Sequence, residues 1–197
     1  MESIKRYDFL TQEECDILVN KILSLEDTVK RLGPDLYPDT SEDSLTGRFY
    51  CFNYLNVPEI NSILEPKLKK IFGPCVVQCW ANIFRQGEGI KAHKHSGPGR
   101  ESFLKLHTIF EMTGNLFLYG DLTTGTYYKF PELDPLRVKY DNKIGELTLF
   151  PPTLVHGVTK NTSGDMRISM AIDVRSGDEN HLNTLISEHP KRYYYIR

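Results

Sequence analysis

Val76-Val77-Gln78-Cys79-Trp80-Ala81-Asn82-Ile83-Phe84, followed after a glycine turn by Lys91-Ala92-His93-Lys94-His95, decides the fold. From residue 75 the apolar period drops from the helical 3.6 to the strand value of two. The same texture returns in residues 103–110, 115–119, 147–150 and 167–174, and Gly, Pro, Asn and Asp separate the segments. Short strands with such turn signals predict a sandwich or barrel. Residues 120–145 are less regular and predict two short strands, 127–130 and 137–140, around a proline-bearing excursion.

Upstream the pattern is helical. Phe9-Leu10-Thr11-Gln12-Glu13-Glu14-Cys15 contains a capping box, Thr11 with Glu14 three residues on. Cys15, Ile17, Leu18, Ile22 and Leu23 then predict the buried face of a first helix. Gly33-Pro34 ends it, residues 34–47 read as a polar loop, and residues 48–52 predict a short strand. Pro58 opens a second helix whose buried stripe is Ile60, Ile63, Leu64, Leu68 and Ile71, and Gly73-Pro74 stops it.

Composition bounds the class. A chain of 197 residues predicts one domain with a core that needs no staples. A net charge of -2 gives no bulk field toward nucleic acid or anionic membrane. No apolar run approaches the roughly 20 residues of a membrane span. The opening residues lead into an amphipathic segment, not a signal sequence, so a cytoplasmic location is expected. Cys15, Cys51, Cys75 and Cys79 then read as reduced thiols. The tail, Lys191 to Arg197, is basic and aromatic; it is expected to pack on the domain, the alternative being stacking on nucleic acid.

Three histidines carry the chemistry. His93 and His95 are two apart, so one strand aims both imidazoles at one point. His156 supplies a third corner from a distant strand, and Arg167-Ile168-Ser169 follows it. Imidazoles that leave open coordination positions suit a non-haem Fe(II) oxygenase. The planar fork of an arginine close by suits a carboxylate.

Residues 80–175 resemble the double-stranded β-helix of the 2-oxoglutarate- and Fe(II)-dependent dioxygenases. Trp80 through His95 resembles the segment bearing the first metal ligands. Gly145-Glu146-Leu147-Thr148-Leu149-Phe150-Pro151-Pro152 through His156 resembles the segment of the distal histidine, and Arg167-Ile168-Ser169 the co-substrate anchor. The opening helix resembles that of the prolyl-hydroxylase-like branch. The resemblance implies a mostly β fold with flanking helices: a double-stranded β-helix (jelly roll, cupin-like) with N-terminal helices on the major sheet. It divides residues 1–197, one oxygenase domain, into helical support (1–74), core (75–175) and a C-terminal extension (176–197).

One departure stands out. The usual motif is His-x-Asp or His-x-Glu, and this chain has His-x-His. With His93 as first ligand, His95 replaces the carboxylate and the iron site becomes one unit more positive. In a second register His95 is the first ligand and Gly97 leaves a position vacant, as in halogenases. The first register fits the glycine-turn spacing and explains both histidines.

The resemblance implies Fe(II), 2-oxoglutarate and dioxygen as cofactors and co-substrates, with His93, His95 and His156 as catalytic metal ligands. Arg167 would grip the C5 carboxylate of 2-oxoglutarate, and Ser169 would add a hydroxyl. His107 or Lys105, on one strand face, would reach the co-substrate or else serve as cross-strand partners. Asn82 would bind co-substrate or substrate, and Tyr119 the co-substrate carboxylate. The implied reaction couples 2-oxoglutarate decarboxylation to hydroxylation of an unactivated C–H in an amino acid, a peptidyl side chain or a small natural product. The expected partner is that small or peptidyl substrate, with no membrane and no nucleic acid, and a homodimer stays open. Alternatives are a three-histidine cupin-type dioxygenase that needs no 2-oxoglutarate, a halogenase, and a non-catalytic binding module.

Overall fold

Helix α1 (Gln12–Lys30) begins where the capping box places it. The Thr11 side chain accepts from the Glu14 amide at 3.2 Å, and the Glu14 carboxylate accepts from the Thr11 amide at 2.8 Å. The structure is a computed structural model that describes residues 4–36, 44–95, 110–122, 124–130, 136–176 and 179–197, without the side chains of 179–181, 184 and 185. The buried stripe of α1 is Cys15, Leu18, Ile22, Glu26 and Val29. Ile17, expected on it, points outward and is 45% exposed. At about 100° per residue it stands well round the helix from both Cys15 and Leu18. Helix α2 (Pro58–Phe72) buries Ile60, Leu64 and Leu68 and stops at Gly73, whose φ is +66°.

Between the helices, the strand expected at 48–52 is replaced by 3-10 turns at Leu45–Arg48 and Tyr54–Asn56. The buried Arg48 curls the chain. It donates to the Ser44 carbonyl at 2.6 Å and to the Lys30 carbonyl near the end of α1 at 3.2 Å. Asn53 then caps the second turn at the Leu55 amide.

The rest is mostly β, in two antiparallel sheets. The strands are β1 (Lys5–Asp8), β2 (Cys75–Phe84), β3 (Ile90–His93), β4 (Met112–Tyr119), β5 (Thr126–Lys129), β6 (Val138–Tyr140), β7 (Glu146–Phe150), β8 (Val155–Val158), β9 (Arg167–Ser176) and β10 (Tyr194–Ile196). A third helix, α3 (Glu179–Glu188), precedes β10. The large sheet runs β1-β7-β4-β9-β2-β10 and the small one β3-β8-β5-β6. The tail therefore packs on the domain through β10, which pairs with the edge of β2. Residues 103–109 of one expected strand lie outside the described residues. No helix among the described residues is long and apolar enough to cross a membrane.

The two faces of the large sheet differ sharply. Cys79, Ala81 and Ile83 of β2, Leu116 and Leu118 of β4, and Ile168, Met170, Ile172 and Val174 of β9 pack against α1 and α2. Strand alternation turns the intervening residues to the other face. There β2 places Gln78, Trp80, Asn82 and Phe84, β4 places Thr113, Asn115 and Phe117, and β9 places Arg167, Ser169, Ala171 and Asp173. Such polar residues on a buried face are expensive unless each has a partner or a task. They look across at the small sheet, and the candidate site lies between.

Candidate metal centre

His93 and His156 face each other directly, as register partners on the antiparallel pair β3 and β8. His95 lies two residues beyond His93, after β3 has ended. Simple strand alternation therefore does not present it; its amide instead donates to the Pro152 carbonyl at 2.8 Å, which folds the chain inward. The three rings converge, with centroids 4.4 Å (His93–His156), 5.0 Å (His95–His156) and 5.2 Å (His93–His95) apart. One ligand atom of each lies within 4.8 Å of the others.

The hydrogen bonds assign the tautomers. Nδ1 of His93 meets the Lys91 carbonyl at 2.9 Å, Nδ1 of His95 the Asp173 carboxylate at 2.7 Å, and Nδ1 of His156 the Leu154 carbonyl at 3.0 Å. All three partners only accept, so each Nδ1 carries the proton and each Nε2 keeps its lone pair. Nε2 of His93 and of His95 are 3.3 Å apart. In neutral rings two lone pairs at that distance repel, and a shared cation, either a metal ion or a proton, relieves them. Adjacent nitrogens about 2.1 Å from one ion would be about 3 Å apart, so this pair is close to the spacing a first-row divalent metal needs, and His156 supplies the third donor. Burial pushes His93 down to about 4, which keeps its ring neutral and able to ligate.

The cleft around the rings has about 560 Å³ of empty space, including its mouth. Trp80, Phe49, Phe150, Ile90 and Val158 make much of the wall apolar. Trp80 lies 5.5 Å from His95, and Phe150 4.6 Å edge-on to His156, centre to centre. Asn82, Thr46, Asn115, Thr113 and Thr126 supply polar groups. The Thr46 hydroxyl donates to Asn82 at 2.6 Å, and the Thr126 hydroxyl is buried without a partner among the described residues.

Arg167 opens β9 on this inner face and is 0% exposed. Its Nη1 donates to the Ser169 hydroxyl at 3.2 Å, while Nε and Nη2 have no partner among the described residues. Phe84 and Phe117 hold the guanidinium between them, 5.7 and 5.3 Å from their ring centres. Burial lowers its proton affinity to about 10, so it stays charged at neutral pH. Asn161 anchors the turn before it, donating to the Phe84 and Asp165 carbonyls at 3.0 and 2.6 Å. Toward Asp173, β9 offers only the small Ser169 and Ala171, so side-chain bulk is low between the arginine and the histidines.

Among the site residues expected from sequence, His93, His95, His156, Asn82, Arg167 and Ser169 come together in this interior. Tyr119 goes elsewhere: it is 36% exposed at the end of β4, and its hydroxyl donates to Asp165 at 2.9 Å. A register shift between Phe117 and Tyr119 takes it off the inward alternation. Lys105 and His107 lie outside the described residues. Sequence reasoning missed Asp173, Thr113, Asn115 and Thr126. Only Asp173 left a signal, an acid two positions beyond Ala171 on the face that carries Arg167 and Ser169.

Similar solved structures share this architecture. One is the non-heme alpha-ketoglutarate-dependent carbocyclase SnoK from nogalamycin biosynthesis (TM-score 0.62, 12% identity, 100% of this chain and 93% of that one). Another is a Pseudomonas putida prolyl-4-hydroxylase (TM-score 0.57, 12% identity, 90% of this chain and 95% of that one). A third is the nickel complex of the non-heme monooxygenase ThoJ (TM-score 0.58, 14% identity, 89% of this chain and 74% of that one). At such identities the likeness is one of fold. No protein-family model and no curated protein matches the chain.

Proposed function

We propose that the protein is a non-haem Fe(II), 2-oxoglutarate-dependent dioxygenase on a jelly-roll core, of the prolyl-hydroxylase-like branch with a His-x-His metal motif. The observation that carries this reading is the pairing of two features in the interior between the two sheets. Three imidazoles turn their unprotonated Nε2 atoms together, and a wholly buried guanidinium nearby has two donors unspent. A metal accounts for the first and a carboxylate for the second. An alpha-ketoglutarate-dependent carbocyclase and a prolyl-4-hydroxylase are among the structures that share this fold, which supports the same reading.

In this reading His93, His95 and His156 hold Fe(II), which with 2-oxoglutarate and dioxygen supplies an oxidant for an unactivated C–H, releasing succinate and carbon dioxide. The residues of the chain do the positioning. Arg167 and Ser169 take the far carboxylate of 2-oxoglutarate, and Asn82 borders the space between. Trp80, Phe49 and Phe150 keep water from the reacting atoms. The substrate is an amino acid, a peptidyl side chain or a small natural product. Anaerobic addition of Fe(II) and then 2-oxoglutarate should give a stoichiometric complex, and air should then yield succinate. Dioxygen uptake that ignores 2-oxoglutarate would favour the three-histidine dioxygenase, and a protein that takes up no iron would leave only a binding module.

A further inference from the structure

This inference deepens the proposed reading and rests on it. It concerns His95, which stands where the resemblance expects a carboxylate ligand. The three imidazoles are not equivalent. His93 and His156 lean on backbone carbonyls, but His95 leans on the carboxylate of Asp173 at 2.7 Å. The same Asp173 oxygen accepts the Thr113 hydroxyl at 2.7 Å. Two donors on one oxygen, from β4 and from the segment after β3, fix the carboxylate in place. Asp173 is 4% exposed, so almost none of its interaction with His95 is lost to solvent.

We propose that Asp173 is a positioning residue of the metal centre: it fixes the tautomer and aim of His95 and restores, one hydrogen bond away from the ion, the negative charge missing from the ligand set. A divalent ion with three neutral imidazoles carries two positive charges. A carboxylate hydrogen-bonded to one of those imidazoles brings the cluster to the same total as two imidazoles and a directly bound carboxylate. A carboxylate on the far nitrogen also makes the ligating nitrogen more basic. The buried acid also feels the charge of the buried Arg192 guanidinium, but its two hydrogen bonds go to Thr113 and to the ligand imidazole of His95. The arrangement also explains how His95 reaches the ion from beyond the end of β3: strand geometry does not aim it, and Asp173 does.

The test uses Co(II) as the metal probe, without dioxygen or co-substrate, and compares the parent chain, Asp173→Asn and His156→Ala. Asn keeps the size and an acceptor oxygen but removes the charge. Asp173→Asn should raise the Co(II) dissociation constant 10- to 100-fold and shift the visible Co(II) absorption, while the metal-free melting temperature stays near that of the parent. Asp173→Ser gives the same comparison if the Asn variant does not fold. Binding within twofold of the parent, with an unchanged spectrum, overturns the role of Asp173 alone. A parent that binds Co(II) no better than His156→Ala overturns the metal centre itself, so the two failures are distinguishable.

Discussion

Replacing Arg167 with methionine separates ligand binding from folding. The guanidinium is wholly buried between Phe84 and Phe117, with only Ser169 as a partner among the described residues. Methionine has similar reach, and its thioether sits well against aromatic rings. The variant also no longer has to keep a charge out of water. The metal-free protein should therefore be as stable as the parent or more so. Affinity for a dicarboxylate should move the other way. Nε and Nη2 can each give one charge-assisted hydrogen bond, worth about 1.5–3 kcal/mol apiece. Losing both costs about 3–6 kcal/mol, roughly two to four orders of magnitude in Kd. The assay is thermal unfolding with Mn(II), with and without 2-oxoglutarate. At a concentration of about 100 times the parent Kd, the parent gains about 2.7 kcal/mol. For a chain of this size that is roughly 5–11 °C in Tm. Arg167→Met should show almost no shift under the same conditions. A variant that keeps the parental shift would refute the assignment of Arg167 as the carboxylate anchor.

His156→Ala should abolish tight Fe(II) or Co(II) binding in calorimetry and all succinate formation, because it removes one of three Nε2 donors; undiminished binding would contradict the centre. His93 is pushed down from 6.5 to about 4, so below pH 6.5 the unfolded chain takes up the proton first. The metal-free protein should be at full strength above that pH and weaken as pH falls toward 4, with a slope approaching about 1.4 kcal/mol per unit. Urea midpoints at several pH values check this, and His93→Asn should flatten the profile; an equally steep slope in that variant would assign the effect elsewhere. Gly145 has φ +77°, and an added Cβ would lie 2.2 Å from the Leu10 carbonyl oxygen. Gly145→Ala should cost about 2–4 kcal/mol and lower Tm by about 10 °C, measured by calorimetry.

Much of the fold could be read from the chain because its signals are local. The capping box at Thr11, the proline at the start of α2 and the glycine that ends it are each decided within a turn or two of backbone. The long strands β2 and β9 could be read too, being apolar on one face throughout. The edge strand β1 was hidden for the opposite reason. Lys5 to Asp8 pairs with β7 through its backbone and an ion pair from Arg6 to Glu146, 140 residues away, and nothing local in those four side chains announces a strand. The stretch after Arg48 failed as a strand because a buried guanidinium bends it toward the carbonyls of Lys30 and Ser44. No local pattern carries that information.

The candidate site divides along the same line. Period two is enough to place His93, and to set Arg167 and Ser169 together on an inward face. It is not enough to say what Asp173 meets, because its partner comes from a different segment 78 residues earlier, beyond the end of a strand. Yet the inner face of β9 already poses the problem in its composition. Arg167, Ser169, Ala171 and Asp173 put a cation and an anion, with only small residues between, on a surface that burial should make apolar. They lie too far apart to neutralise one another, about 20 Å along the strand by rise alone. Each charge must therefore be answered locally. Asp173 is answered by His95 and Thr113, while Arg167 has two donors left over. The unanswered end of this face is therefore Arg167, and a ligand carboxylate placed there would take its two free donors.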